Sequence, residues 1–183
     1  MDICFYGNKG SSKTICMTYF AFLLWLKGYD IYSNYHLEFP YSPIKTLENF
    51  NNVKDGVLLC DDFENWVSSK FRSANEKKDV LNASLQFGKR NINYFIWSCK
   101  RPLEIDKTLR QTIDYFVECN MELKYMPSKK YDIDFLEKYL DNYRSRLNVY
   151  SAVDLKPVQE VLVDDLNLWC ELYDTKQEIK KPQ

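Results

Sequence analysis

Two short stretches carry residue types and spacings that could do chemistry. The first is Gly7-Asn8-Lys9-Gly10-Ser11-Ser12-Lys13-Thr14. It follows an apolar run, Ile3-Cys4-Phe5-Tyr6, and opens an apolar segment from Ile15 to Leu26. A strand, a glycine-containing loop ending in Lys-Thr and then a helix can cradle the phosphates of a nucleotide. The contacting stretch would run from Gly7 to Ile15. Backbone N–H groups from Asn8 to Thr14 would converge on the β-phosphate as an anion nest. Lys13 would reach the outer phosphate oxygens, and the Thr14 hydroxyl would face Mg²⁺. The helix N-terminus adds a partial positive charge. The usual pattern has a second glycine where this chain has Ser12. If the backbone there needs φ > 0, a side chain costs about 1–2 kcal/mol. The bland alternative is a strand-to-helix turn that merely contains Lys-Thr.

The second stretch is Val57-Leu58-Leu59-Cys60-Asp61-Asp62, an apolar run ending in two acids. An uninterrupted apolar run is the pattern of a central parallel strand. A carboxylate at the C-terminal end of a strand beside a phosphate loop is suited to hold a magnesium ion. Asp61 fits that task, and Asp62 would orient the attacking water, with Glu64 as its rival. The same two acids could instead cap the next helix.

These residues need elements to position them. Asp2 to Tyr6 reads as a strand, Lys13 to Lys27 as a helix closed by Gly28, and Asp30 to Tyr35 as a second strand. A short helix follows Lys45. Val57 to Asp62, Asn93 to Ser98 and Ile113 to Cys119 are further strands. Glu76 to Phe87 has helical spacing, and Ile105 to Arg110 reads as a short helix. Strands alternating with helices predict an α/β fold with a mainly parallel sheet covered on both faces. After Asn120 the pattern weakens: Ile133 to Arg146 looks helical, Val149 to Val163 is mixed, and Thr175 to Gln183 is a charged tail. The 183 residues suit one domain, with a nucleotide-binding core over 1–120 and an extension over 121–183 packed on it.

Composition narrows the classes. A net charge of −1 argues against a passive basic nucleic-acid coat protein. The six cysteines lack CxxC or metal-ligand spacing and read as reduced, intracellular thiols. Met17 to Leu26 is too short for the roughly 20 apolar residues of a membrane span. It reads instead as a helix buried under the sheet, so no membrane span is expected.

Taken in order, FYGNKGSSKT, YDIYSNYHL, VLLCDDFENWVSS and FGKRNINYFIWSCKRPLEIDKTLRQTIDYFVEC resemble the FtsK/HerA superfamily of P-loop ATPases. Within it they are similar to the small genome-packaging ATPases of archaeal and membrane-containing viruses and to the Zot-like phage proteins. The late LYDTKQEI is similar to their C-terminal tail. The likeness covers residues 1–120 well and the rest thinly. It implies a RecA-like, ASCE-type P-loop fold and ATP with Mg²⁺. It also implies a homo-oligomeric, hexameric ring that translocates double-stranded DNA. The setting would be the host cytoplasm or the virion, with capsid or virion proteins as partners.

The likeness further implies a γ-phosphate sensor at the end of the Asn93–Ser98 strand. Its Gln is replaced by Lys100 here, which leaves Lys100 and Ser98 as candidates. It implies a trans-acting arginine, with Arg90 first and Arg110 and Arg72 as alternatives. Lys70, Arg72, Lys77 and Lys78, with Phe71, could face a DNA channel. The competing classes are a Zot-like ATPase for filamentous-virus assembly or extrusion, a nucleotide-binding structural protein that does not hydrolyse, and a small nucleotide kinase.

Overall fold

The computed structural model describes residues 1–67, 82, 85–123 and 143–172. The first strand, β1 (Asp2–Tyr6), runs into α1 (Lys13–Leu26). Next come β2 (Ile31–Ser33), β3 (Ser42–Pro43), α2 (Leu47–Asn52), β4 (Val57–Cys60) and α3 (Glu64–Val67). A 3₁₀ turn over Phe87–Arg90 precedes β5 (Tyr94–Cys99), and another over Pro102–Glu104 precedes α4 (Lys107–Arg110). Then follow β6 (Tyr115–Leu123), β7 (Tyr143–Ser151), β8 (Pro157–Val163) and α5 (Leu166–Cys170).

One eight-stranded sheet holds them in the order β3-β2-β4-β5-β1-β6-β7-β8. From β3 to β6 every pairing is parallel, and β7 and β8 add antiparallel. The order β4-β5-β1 puts one strand between the strand that launches the phosphate loop and the strand that ends in the acids. Both strands therefore deliver their C-terminal ends to one edge of the sheet, where ligands of open α/β sheets bind.

β4 and β5 are buried on both faces, which is why their sequences are apolar without alternation. On one face Phe5, Leu59, Ile96, Val117 and Leu147 pack with Ile15, Met17 and Ala21 of α1. On the other, Leu58, Phe95 and Trp97 pack with Phe50 of α2, Phe63, Ile105 and Leu109 of α4. Helices thus cover both faces. Outside α1 lies α5, whose Trp169 ring meets Tyr19 at 4.5 Å. This cover explains why α1 is apolar on more than one side. At 14 residues α1 is about 21 Å long, and among the described residues no helix is long and apolar enough to cross a bilayer.

Helix ends follow their sequence signals. Thr46 accepts the Asn49 N–H at the start of α2, and Asp106 accepts the Thr108 N–H at the start of α4. After α1, Gly28 (φ 90°) donates to Trp25 O and Tyr29 donates to Leu24 O, a Schellman closure that needs the left-handed residue.

The extension departs from its expected form. Tyr143 to Arg146, read as the end of a helix, lie in β7 and pair with Leu123 to Asn120 of β6. Their alternation explains it: Ser145 and Leu147 turn to the buried side, while Arg144 and Arg146 reach Glu122. Val149 to Val163 resolve into two strands, not a mixed segment. The helix expected over 76–87 and the remainder of that over 133–146 fall mainly outside the described residues, as does the tail over 175–183.

Candidate functional site

β1 ends at Tyr6 and the chain turns at Gly7. A Cβ there would lie 2.5 Å from Ser11 Oγ and 2.7 Å from Cys119 O, so the loop closes on β6 only because this residue has none. Asn8 O accepts the Ser11 N–H at 3.1 Å, and Lys9 and Gly10 form an exposed tip. Ser12 sits at the N-cap of α1 with φ 67° and ψ 16° and does not cap the helix with its side chain. The left-handed backbone feared at this position is therefore what the chain adopts, and the first-turn N–H groups stay open to an anion. Lys13 is buried, and its Nζ donates to Gly7 O and Asn8 O at 3.1 Å each. Ile15 is buried on the sheet side of α1.

The loop fits a phosphate by three observations. Ser11 Oγ is buried without a hydrogen-bond partner, Gly10 has open space where a Cβ would stand, and the Lys13 ammonium rests on carbonyl oxygens that an anion can replace.

The acids lie directly beside it. Thr14 Oγ1 donates to Asp61 Oδ2 at 2.7 Å, and Ser98 Oγ donates to Asp61 Oδ1. Ser98 Oγ in turn accepts the Asp62 N–H at 2.7 Å. Burial pushes the Asp61 carboxyl up, assisted by the neighbouring Asp62 charge and opposed by the Ser98 and Thr14 hydrogen bonds. A hydroxyl and a buried carboxylate sharing one hydrogen bond form an oxygen pair suited to Mg²⁺, which adds charge where burial disfavours the bare carboxylate.

Three side chains do something other than expected, or went unnoticed in the sequence. Ser98 is fully buried and spends its proton on Asp61, so it orients the acid. Arg90 precedes β5 and so lies at the sheet edge opposite the loop. Its Nε donates to Val53 O at 2.9 Å, a second nitrogen donates to Phe50 O, and the guanidinium lies over Phe87. These contacts lie within its own subunit, where a trans-acting finger was expected. Asn34, unremarked in the sequence, clamps Asp61 through both amide atoms: Nδ2 donates to Asp61 O at 2.9 Å and Oδ1 accepts the Asp61 N–H at 2.8 Å. A polar residue ending the strand next to the acid strand was the available signal.

Glu64 accepts the Lys100 N–H at 2.9 Å. The Asp62 carboxylate has no partner among the described residues, and Asp62 is held at φ 47°. The Lys100 side chain is exposed just past β5. Lys70, Phe71, Arg72, Lys77 and Lys78 lie outside the described residues.

Loop, acid strand and intervening strand define the class: this is the RecA-like P-loop fold, α/β with a mainly parallel sheet. No protein-family model matches the chain, and no curated protein matches it. Solved structures do. The flagellar accessory protein FlaH of Methanocaldococcus jannaschii matches with a TM-score of 0.57 at 10% identity, over 89% of this chain and 84% of that one. The N-terminal domain of zonular occludens toxin from Neisseria meningitidis matches with 0.52 at 16%, over 94% and 98%. B204, the DNA-packaging ATPase of Sulfolobus turreted icosahedral virus, matches with 0.53 at 12%, over 89% and 96%. B204 of the related virus 2 also matches in complexes with ATP-gammaS and with AMP. The similarity expected with packaging ATPases and Zot-like proteins is thus present at the level of fold.

Proposed function

We propose that this chain is a Mg²⁺-dependent ATPase whose copies form a ring that translocates double-stranded DNA, in the manner of a viral genome-packaging motor. The observation that carries the reading is the hydrogen-bonded set Thr14–Asp61–Ser98, set beside a loop whose Lys13 and open helix N-terminus await an anion. Gly7 to Ile15 hold the triphosphate, and Lys13 leaves Gly7 O and Asn8 O for the β- and γ-phosphate oxygens. Thr14 and Asp61 hold Mg²⁺, which when bound neutralises charge developing on the phosphates. Ser98 and Asn34 fix Asp61 from its side chain and its backbone.

Asp62, whose carboxylate has no partner among the described residues, orients the attacking water and takes its proton. Glu64 is committed to the Lys100 backbone and serves the loop. Lys100, exposed beyond β5, is the side chain left to meet the γ-phosphate. The cation contributed in trans is sought at Arg110 or Arg72, since Arg90 is engaged within its subunit. Among the described residues Arg110 has a buried Nε with no hydrogen-bond partner. The fold likeness to B204 supports the DNA-packaging form of this reading. The host cytoplasm or virion would be its setting, and a capsid protein a partner.

The test is phosphate release by the purified chain, with and without double-stranded DNA, alongside its mass in solution. The reading expects a ring whose turnover DNA stimulates and Lys13→Ala abolishes. Turnover indifferent to DNA would favour the Zot-like assembly role, and tight ATP binding with no turnover would favour a structural nucleotide-binding protein.

A further inference from the structure

Ser12 is the residue by which this loop departs from its pattern, and its hydroxyl is fully engaged. Ser12 Oγ donates to Ser11 O, lies 2.5 Å from Ser145 Oγ, and accepts the Cys16 thiol at 3.8 Å. With its proton spent on Ser11, it takes that of Ser145. Ser145 is fully buried at the middle of the antiparallel extension. It pairs with Met121 of β6 on one side and Val163 of β8 on the other. The residues from Gly10 to Ile15 and Met121 line one small cavity, so this register of β6 and β7 abuts the loop. Among the described residues the polar side chains that meet the Ser145 hydroxyl are Ser12 and the neighbouring Cys16 thiol. A buried hydroxyl without a partner is costly, so the Ser12–Ser145 pair is strongly favoured once both are buried.

We propose that Ser145 is a positioning residue for the phosphate loop: its hydroxyl holds Ser12 in the left-handed conformation that a glycine would adopt unaided. The serine that weakens the loop pattern and the serine in β7 are two halves of one device. Through it the antiparallel hairpin, far along the chain, sets the shape of the nucleotide site. This rests on the reading of residues 7–15 as a phosphate loop.

The experiment is a double-mutant cycle with Ser145→Ala and Ser12→Gly, read as the dissociation constant of a fluorescent ATP analogue and as amide hydrogen exchange over residues 8–14. In the wild-type background Ser145→Ala should weaken binding about three- to tenfold, the worth of one such hydrogen bond, and speed exchange across the loop. In the Ser12→Gly background it should change neither. Equal effects in both backgrounds, as a purely structural role for Ser145 would give, overturn the proposal, and so does no effect in either. If wild-type protein binds no nucleotide, the reading of the loop fails, and the exchange measurement alone still decides whether Ser145 restrains Ser12.

Discussion

Asp2 offers the sharpest quantitative prediction, because it pins the strand that launches the loop. Its Oδ1 accepts Trp97 Nε1–H at 2.6 Å and its Oδ2 accepts the Thr112 hydroxyl at 2.9 Å. Burial, with the Asp114 charge a lesser contributor, outweighs these hydrogen bonds and lifts the carboxyl from the ordinary 3.8 to about 7. Between those values the folded protein holds a proton that the unfolded chain releases, so stability falls as pH rises through the window and levels off above about 7. At about 1.4 kcal/mol for each tenfold, the fully ionised carboxylate costs about 4 kcal/mol. Asp2→Asn removes the charge and keeps the bonding. The amide oxygen still accepts from Trp97, and the amide N–H can donate to Thr112 Oγ1, whose own proton then goes to Leu109 O, already 2.8 Å away. Urea unfolding of wild type and variant at several pH values isolates the term. The stability of Asp2→Asn relative to wild type should rise by about 3 kcal/mol between pH 5 and 8. A difference that stays flat with pH would rule out a raised Asp2 carboxyl.

Other substitutions probe the loop, the support of Asp61 and the Arg90 cation separately. Gly7→Ala should abolish nucleotide binding, measured by titration with an ATP analogue, because its Cβ would strike the Cys119 carbonyl at 2.7 Å. Asn34→Leu breaks both bonds to the Asp61 backbone and should cut ATP turnover about tenfold or more while costing about 1–3 kcal/mol in denaturation. Arg90→Met leaves the Val53 and Phe50 carbonyls without the guanidinium. It should lower stability by about 2 kcal/mol and leave the turnover of the folded ring unchanged, whereas a finger would lose at least a thousandfold.

How much was legible in the sequence depended on whether the information was local. Lys13 and Thr14 sit in a contiguous loop, and Asp61 ends an apolar run, so their placement followed from neighbours alone. The short helix after Ile105 was equally visible, since Asp106 caps it and Leu109 is its buried residue. Asn34 and Ser145 were not, because each acts through a partner brought near only by the sheet: Asn34 reaches Asp61 across β2 and β4, and Ser145 reaches Ser12 from β7. The carbonyls that Arg90 meets were not legible either, because a sequence does not reveal which ones a cation will find. Tyr143 to Arg146 were read as helix because polar residues of good helix propensity hid a two-residue alternation that only the partner strand makes visible.

Whether Lys13, Thr14 and Asp61 form a working magnesium–triphosphate site is read from steady-state phosphate release from Mg²⁺–ATP by wild type and Asp61→Asn. Turnover should require Mg²⁺ and be lost in Asp61→Asn while the variant stays folded. Turnover that survives in Asp61→Asn, or its absence from assembled wild-type protein, would contradict such a site.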